Sequence, residues 1–122
     1  MGQVSVLIVD DEPVVRVVLC RTISRFRPDW RVEAVADPRA ANEALKRTPY
    51  RVIVCDHHLE TSKGADYLRE LATTHPQMVR ILTSGRPDAE QESAGCSHAF
   101  FAKPPSSPKE LIELIEHLVG SE

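Results

Sequence analysis

The sequence predicts an α/β fold in which one five-stranded parallel sheet carries helices on both faces, giving a doubly wound three-layer architecture. Three observations lead to this prediction. Five short apolar runs alternate with stretches of helical periodicity. The runs are continuously apolar, as is typical of strands covered on both faces. The length of 122 residues suits one core, so we expect a single domain over 1–122.

Each predicted strand is a short apolar run that is followed by polar or turn-forming residues. They are 4–9, 32–36, 51–55, 78–83 and 98–102. Connections between parallel strands are right-handed, so the loops that follow the strands all lie at one edge of the sheet. Ligands of doubly wound sheets bind at that edge, which makes these loops the first place to look for a site.

Local signals mark where the first two predicted helices begin. Pro13 suits the first position of a helix over 13–26, whose apolar residues recur on one face. Asp37 and Pro38 read as an N-cap and a first-turn proline, and they open a helix over 38–48. Both helices follow a predicted strand directly, as the alternating pattern requires.

The three later helices complete the alternation. Leu68 and Leu71 line one side of 65–74, and the more polar segment 87–94 is predicted to be a short helix. A capping box over 107–110 opens the last helix, 108–119.

The last predicted helix is apolar over more of its surface than one buried stripe needs. Ile112 and Val119 are expected to be exposed there. Such a surface could bind a partner or a second copy of the chain, so a homodimer is one expectation.

Composition argues against several classes of function. The net charge of −3 and the lack of a basic cluster give no reason to expect direct nucleic-acid binding. No apolar run approaches the roughly 18 residues of a membrane span, and no signal peptide is recognised, so we expect no membrane association. The three cysteines have no CxxC spacing, which disfavours disulfides and zinc and favours the cytoplasm.

Chemically active side chains stand at the ends of four predicted strands. They are Asp10 and Asp11 after the first strand, Asp56 after the third, Thr83 at the end of the fourth and Lys103 after the fifth. Carboxylates buried together raise one another's pKa, and a hard dication removes that conflict. A metal ion, an ammonium group and a hydroxyl group together suit phosphoryl transfer, because they stabilise charge on the transferred oxygens.

Four motifs in order then resemble a known family, the receiver domains of two-component response regulators. They are Val9-Asp10-Asp11-Glu12, Asp56 with Gly64 eight residues later, Leu82-Thr83-Ser84-Gly85, and Phe100-Phe101-Ala102-Lys103-Pro104. Each stands at a predicted strand end, and the match covers essentially the whole chain. The resemblance implies a flavodoxin-like sheet with strand order 2-1-3-4-5 and five helices.

The resemblance also implies a metal site. Asp56 would be the phosphoacceptor and, with Asp11, a direct ligand of Mg²⁺, which Mn²⁺ can replace. The backbone carbonyl of His58 would be a third protein ligand. Asp10 would hold a metal-bound water from the outer shell.

The same resemblance assigns the remaining roles. Thr83 and Lys103 would contact the phosphoryl group, and Phe100 would be a switch aromatic that moves with Thr83. A sensor histidine kinase or a phosphotransfer protein would donate the phosphoryl group. The chain would be a signalling switch with only self-phosphorylation and self-dephosphorylation chemistry. It would act on an effector through its output face, formed by 87–94, the fifth strand and the last helix.

Two alternatives stay open on the sequence alone. Asp56, His57 and His58 resemble the Asp-His-His motif of metal-dependent phosphoesterases, although the further acidic motifs and the longer chain of that class are missing. The second alternative is a receiver-like scaffold that never takes a phosphoryl group. Adjacent histidines rarely bind one ion, so His57 and His58 are expected to be solvent-facing loop residues.

Overall fold

The computed structural model describes residues 3–60, 62–85, 95–102 and 108–120. The strands are β1 (Ser5–Val9), β2 (Arg31–Val35), β3 (Val52–Asp56), β4 (Val79–Ser84) and β5 (Ala99–Ala102). The helices in these ranges are α1 (Pro13–Phe26), α2 (Pro38–Arg47), α3 (Gly64–Thr74) and α4 (Pro108–Gly120). Every predicted element in the described ranges is present, with bounds that shift by one residue where they differ. The helix predicted over 87–94 lies outside the described residues.

The five strands form one parallel sheet in the order β2-β1-β3-β4-β5. This order confirms the predicted topology. The order reverses direction around β1 and β3, where the chain passes from one half of the sheet to the other. The carboxyl ends of these two strands therefore meet at the switch point, where doubly wound sheets bind their ligands.

The core lies on both faces of the sheet, because successive strand residues point to opposite sides. Leu7 and Ile53 belong to the α2–α3 face, where they pack with residues of α2 and α3. Val6 and Val54 belong to the α1–α4 face, where they pack with residues of α1 and α4. The central strand β3 is buried along its whole length, which confirms three layers.

Helix α4 is more deeply buried than its sequence predicted. Ile112 is 2% exposed, and Val119 is half-buried and packs against the core of the α1–α4 face. The expectation that both are exposed was wrong, because α4 packs against the sheet and against α1 together. Arg27, just after α1, donates to Glu116 of α4 and ties the two helices.

The start of α2 agrees with the capping signal predicted from the sequence. Asp37 accepts a hydrogen bond from the backbone N–H of Ala40 at 2.8 Å, which confirms it as the N-cap of α2. Ser107 of the predicted capping box lies outside the described residues. Among the helices that the structure describes, none combines the length and apolarity of a transmembrane segment.

Candidate functional site

Three carboxylates meet where β1 and β3 end. Asp10 and Asp11 directly follow β1, and Asp56 is the last residue of β3. One carboxylate oxygen of each lies within 4.8 Å of the others. Asp10 is 2% exposed and Asp56 is 4% exposed, while Asp11 is half-buried. The structure thus brings together the three acids predicted from the sequence, at a sheet edge where Asp10 and Asp56 are almost fully buried.

Backbone contacts hold Asp10 at this edge. Its N–H donates to the carbonyl of Val35 at the end of β2, at 3.0 Å. Its Oδ1 accepts the N–H of Glu12 at 2.9 Å, which closes the turn into α1. The position of the Asp10 carboxylate is therefore set by both the sheet and the turn.

Thr83 lies beside Asp56 on the neighbouring strand. The two residues are register partners of β3 and β4, and paired residues of adjacent strands point to the same side of the sheet. Thr83 is 5% exposed, and its carbonyl accepts the N–H of His57 at 2.8 Å. The predicted hydroxyl therefore stands at the same edge as the acid cluster.

His58 is exposed, as its position in the loop after β3 predicted. Its backbone N–H lies 3.4 Å from Oδ1 of Asp56, and its backbone forms a bridge with Lys63 across the loop. The main chain of His58 thus lies against the acid cluster while its imidazole points to solvent.

The expectation that His57 faces solvent was wrong, because its side chain is 1% exposed. Its Nδ1 accepts the backbone N–H of Ala65 at 3.3 Å, and its carbonyl accepts the N–H of Gly64 at 2.8 Å. Helix α3 begins after Lys63, whose side chain caps nothing. His57 supplies the missing acceptor for that helix start. A helix that begins without Ser, Thr, Asp or Asn is the signal that could have indicated this role.

Replacing His57 by Leu is expected to lower the free energy of unfolding by about 1–3 kcal/mol, because the N–H of Ala65 would be buried without a partner. Urea unfolding measures the change. His58→Leu, at an exposed position next in the chain, is the control and is expected to change stability by about 0.5 kcal/mol or less. Equal stabilities for the two variants would contradict the capping role of His57.

Gly64 allows the loop to return against the strand. A Cβ at this position would lie 2.2 Å from the carbonyl oxygen of Asp56 and 2.9 Å from the Cα of His57. Both neighbours are backbone atoms, which cannot rotate away as a side chain does. Only glycine therefore fits between the start of α3 and the end of β3.

Phe100 and Lys103 complete the predicted set. Phe100 on β5 is half-buried, pairs in register with Leu82 and packs against the core of the α2–α3 face. Lys103 and Pro104 lie outside the described residues. The role predicted for Lys103 therefore rests on the sequence alone.

The acid cluster offers oxygen atoms alone. Carboxylate oxygens suit hard cations such as Mg²⁺ and Mn²⁺, while soft or borderline metals favour thiolate and imidazole. Within the ranges described, the ligand cluster consists of Asp10, Asp11 and Asp56, with neither His57 nor His58 joining it. This arrangement favours a single oxygen-ligated cation and disfavours the Asp-His-His type of centre.

Comparison with known proteins gives a family match. The sequence model described as "Response regulator receiver domain" matches residues 6–116. The hydrogenase transcriptional regulatory protein HoxA of Cupriavidus necator is 32% identical over 98% of this chain, which corresponds to 25% of that protein. Response regulator protein PilR of Pseudomonas aeruginosa is 33% identical over 69% of this chain and 19% of that protein. The chain thus spans about a quarter or less of the length of these relatives.

Solved structures agree in fold. Chemotaxis protein CheY4 of Vibrio cholerae matches with a TM-score of 0.85 at 20% identity, covering 95% of this chain and 98% of that one. Response regulator TrrA of Thermotoga maritima, solved with Mg²⁺ and a beryllium fluoride, matches with a TM-score of 0.85 at 18% identity, covering 95% and 99%. At these identities the likeness shows the fold alone. Together with the family match over 6–116, it establishes that the chain belongs to the response regulator receiver domains of two-component systems.

Proposed function

We propose that residues 1–122 form one receiver domain that accepts a phosphoryl group on Asp56 from the phosphohistidine of a cytoplasmic sensor kinase or phosphotransfer protein. One observation carries this proposal. Three carboxylates from two strand ends converge within 4.8 Å, and Thr83 stands opposite Asp56 on the next strand. Burying carboxylates next to one another costs free energy, and a bound cation would offset much of that cost.

The residues present fit Mg²⁺, and Mn²⁺ by the same chemistry. Asp11, Asp56 and the backbone carbonyl of His58 would hold the ion, with Asp10 binding it through a water. When bound, the ion neutralises the carboxylates and draws phosphoryl oxygens to the site. The nearly complete burial of Asp10 and Asp56 strengthens this attraction, because charges interact more strongly away from water.

Asp56 supplies the nucleophile. A carboxylate oxygen attacks phosphorus, the acyl phosphate O–P bond forms, and the N–P bond of the donor breaks with its electron pair left on the imidazole nitrogen. The N–H of His58 restricts rotation of the carboxylate through its contact with Oδ1. The hydroxyl of Thr83 and the ammonium of Lys103 would donate to the phosphoryl oxygens and stabilise their charge. Attack by water on phosphorus later returns the free carboxylate and inorganic phosphate.

Thr83 connects this chemistry to the output face. Its side chain stands at the site, while its backbone lies on β4 next to β5, where Phe101 is its register partner. By the family resemblance, Phe100, which directly precedes Phe101 and is now half-buried, would turn further inward when Thr83 moves towards a phosphoryl group. The result is a population shift between two states of the output face.

The output would pass to an effector domain or a separate partner. HoxA carries the name of a transcriptional regulator, and this chain matches a quarter of it. A homodimer stays a prediction, and it can no longer depend on Ile112, because that side chain is buried. The domain would act as a switch rather than a metabolic enzyme.

Mass spectrometry after treatment with acetyl phosphate and Mg²⁺ tests the proposal. We expect one added phosphoryl group, located on the peptide that contains Asp56, released by hydroxylamine and absent when EDTA replaces Mg²⁺. A chain that binds the ion but takes no label would instead be a receiver-like scaffold. Robust phosphodiester cleavage with Mn²⁺ would favour the phosphoesterase alternative.

A further inference from the structure

Asp10 makes a third contact that neither the sheet nor the turn explains. Its carbonyl oxygen accepts a hydrogen bond from Nη1 of Arg16 at 2.8 Å. Strand β1 ends at Val9, so this carbonyl lies beyond the last residue of the strand, and a side chain binds it. A guanidinium bonded to a carbonyl is a charge-assisted contact, stronger than an ordinary one.

The position of Arg16 in its helix makes this contact more informative. Arg16 is the fourth residue of α1, and its N–H makes the bond to Glu12 that opens the helix. Side chains of a helix lean towards its N-terminus, so Arg16 reaches back to the turn that carries the acids. A cation gains nothing from the helix dipole at this end, where anions are favoured. The helix alone gives no reason for arginine here.

The contact fixes more than one atom. The carbonyl of Asp10 and the nitrogen of Asp11 belong to one planar peptide unit, so they can only turn together. Holding that carbonyl therefore sets the direction in which Asp11 leaves the turn. Asp11 is the less buried of the two neighbouring acids, and its half-exposed side chain has the most freedom to lose.

We propose that Arg16 is a positioning residue for the cation site: through the carbonyl of Asp10 it fixes the peptide plane from which Asp11 presents its carboxylate. This inference rests on the proposed function, because it assigns a support to the same metal site. Groups that orient metal ligands from the outer shell commonly contribute 10–100-fold to metal affinity.

The sign of the effect separates positioning from charge. Arg16 is a cation next to a cation site, so by Coulomb's law its removal alone would tighten metal binding. Loss of positioning has the opposite result, because the carboxylate of Asp11 would have to be ordered when the ion binds. Weaker binding after removal of a positive charge can therefore not be an effect of charge.

The test measures Mn²⁺ affinity of the folded 122-residue chain by electron paramagnetic resonance of free Mn²⁺. Arg16→Met keeps the length of the side chain without the donors, and we expect affinity about 10-fold weaker than in the wild type. Arg16→Lys keeps the charge without the planar fork and is expected to lie between the two. Arg21→Met, at an exposed site on the same helix, is the charge-matched control and should bind as the wild type does or slightly tighter.

The outcomes distinguish the positioning role of Arg16 from the proposed function of the domain. Arg16→Met that binds Mn²⁺ as tightly as the wild type, or more tightly, overturns the positioning role and leaves the proposed function intact. A wild type that binds no Mn²⁺ overturns both. Circular dichroism reports whether Arg16→Met is folded. If it is not, Arg16→Lys decides, and wild-type affinity in that variant overturns the role.

Discussion

Asp56→Asn is expected to abolish labelling by acetyl phosphate, because an amide has no anionic oxygen that can form an acyl phosphate. The same change should raise stability in metal-free buffer, since it removes one of three carboxylates that repel one another within 4.8 Å. Wild type in Mg²⁺ at 100 times its dissociation constant should gain about 2.7 kcal/mol. The variant should lose most of this increment. Mass spectrometry and urea unfolding with and without Mg²⁺ measure the two effects.

Asp66→Asn is the matched control for this experiment. Asp66 is an exposed acid of α3, paired with Arg69 at 2.9 Å, so the substitution makes the same chemical change away from the site. It should leave labelling unchanged and alter stability by about 1 kcal/mol or less. Undiminished labelling of Asp56→Asn at another residue would show that the phosphoacceptor has been assigned wrongly.

The second large effect is expected from Gly64→Ala. The new Cβ would lie 2.2 Å from the carbonyl oxygen of Asp56, so either α3 or the end of β3 must move. Overpacking of this kind costs about 3 kcal/mol, and more where backbone atoms are the obstacle. Because the displaced residue is the proposed phosphoacceptor, labelling by acetyl phosphate should slow as well. Urea unfolding and the initial rate of labelling measure both consequences.

Gly120→Ala provides the comparison. Gly120 ends α4, and a Cβ there would have no atom within 4 Å. Alanine is the better helix former, so this variant should be as stable as the wild type or gain up to about 1 kcal/mol. If Gly64→Ala had the stability and labelling rate of the wild type, the close approach of α3 to the end of β3 would be contradicted.

Much of the site could be predicted from sequence because strand ends are visible there. Asp10, Asp11 and Asp56 each end a continuous apolar run, and parallel strands bring such ends to one edge. The burial of Ile112 was not predictable in the same way. Hydrophobic periodicity shows that a helix has an apolar face, but how wide a face is buried depends on how many neighbours the helix meets.

His57 illustrates the same limit at the site. Polar residues after a strand usually belong to a solvated loop, and nothing in the order of residues says that this imidazole turns inward to cap α3. Arg16 was also overlooked, because a single arginine in an amphipathic helix is ordinarily a surface residue. Its contact with Asp10 depends on the angle at which α1 leaves the turn.

The sequence by itself determined the alternation of strands and helices and the meeting of Asp10, Asp11 and Asp56 at one edge, because these follow from periodicity and from residue types at strand ends. The strand order and the family followed from the resemblance of its four motifs to receiver domains. Only the tertiary structure decided which neighbours support those acids. Gly64 lies against the end of β3, His57 caps α3, and Arg16 binds the carbonyl of Asp10. Each of these contacts depends on the distance between two segments of the chain. Such distances arise from packing in three dimensions, where a shift of one ångström makes or breaks a hydrogen bond, and local sequence patterns do not encode them.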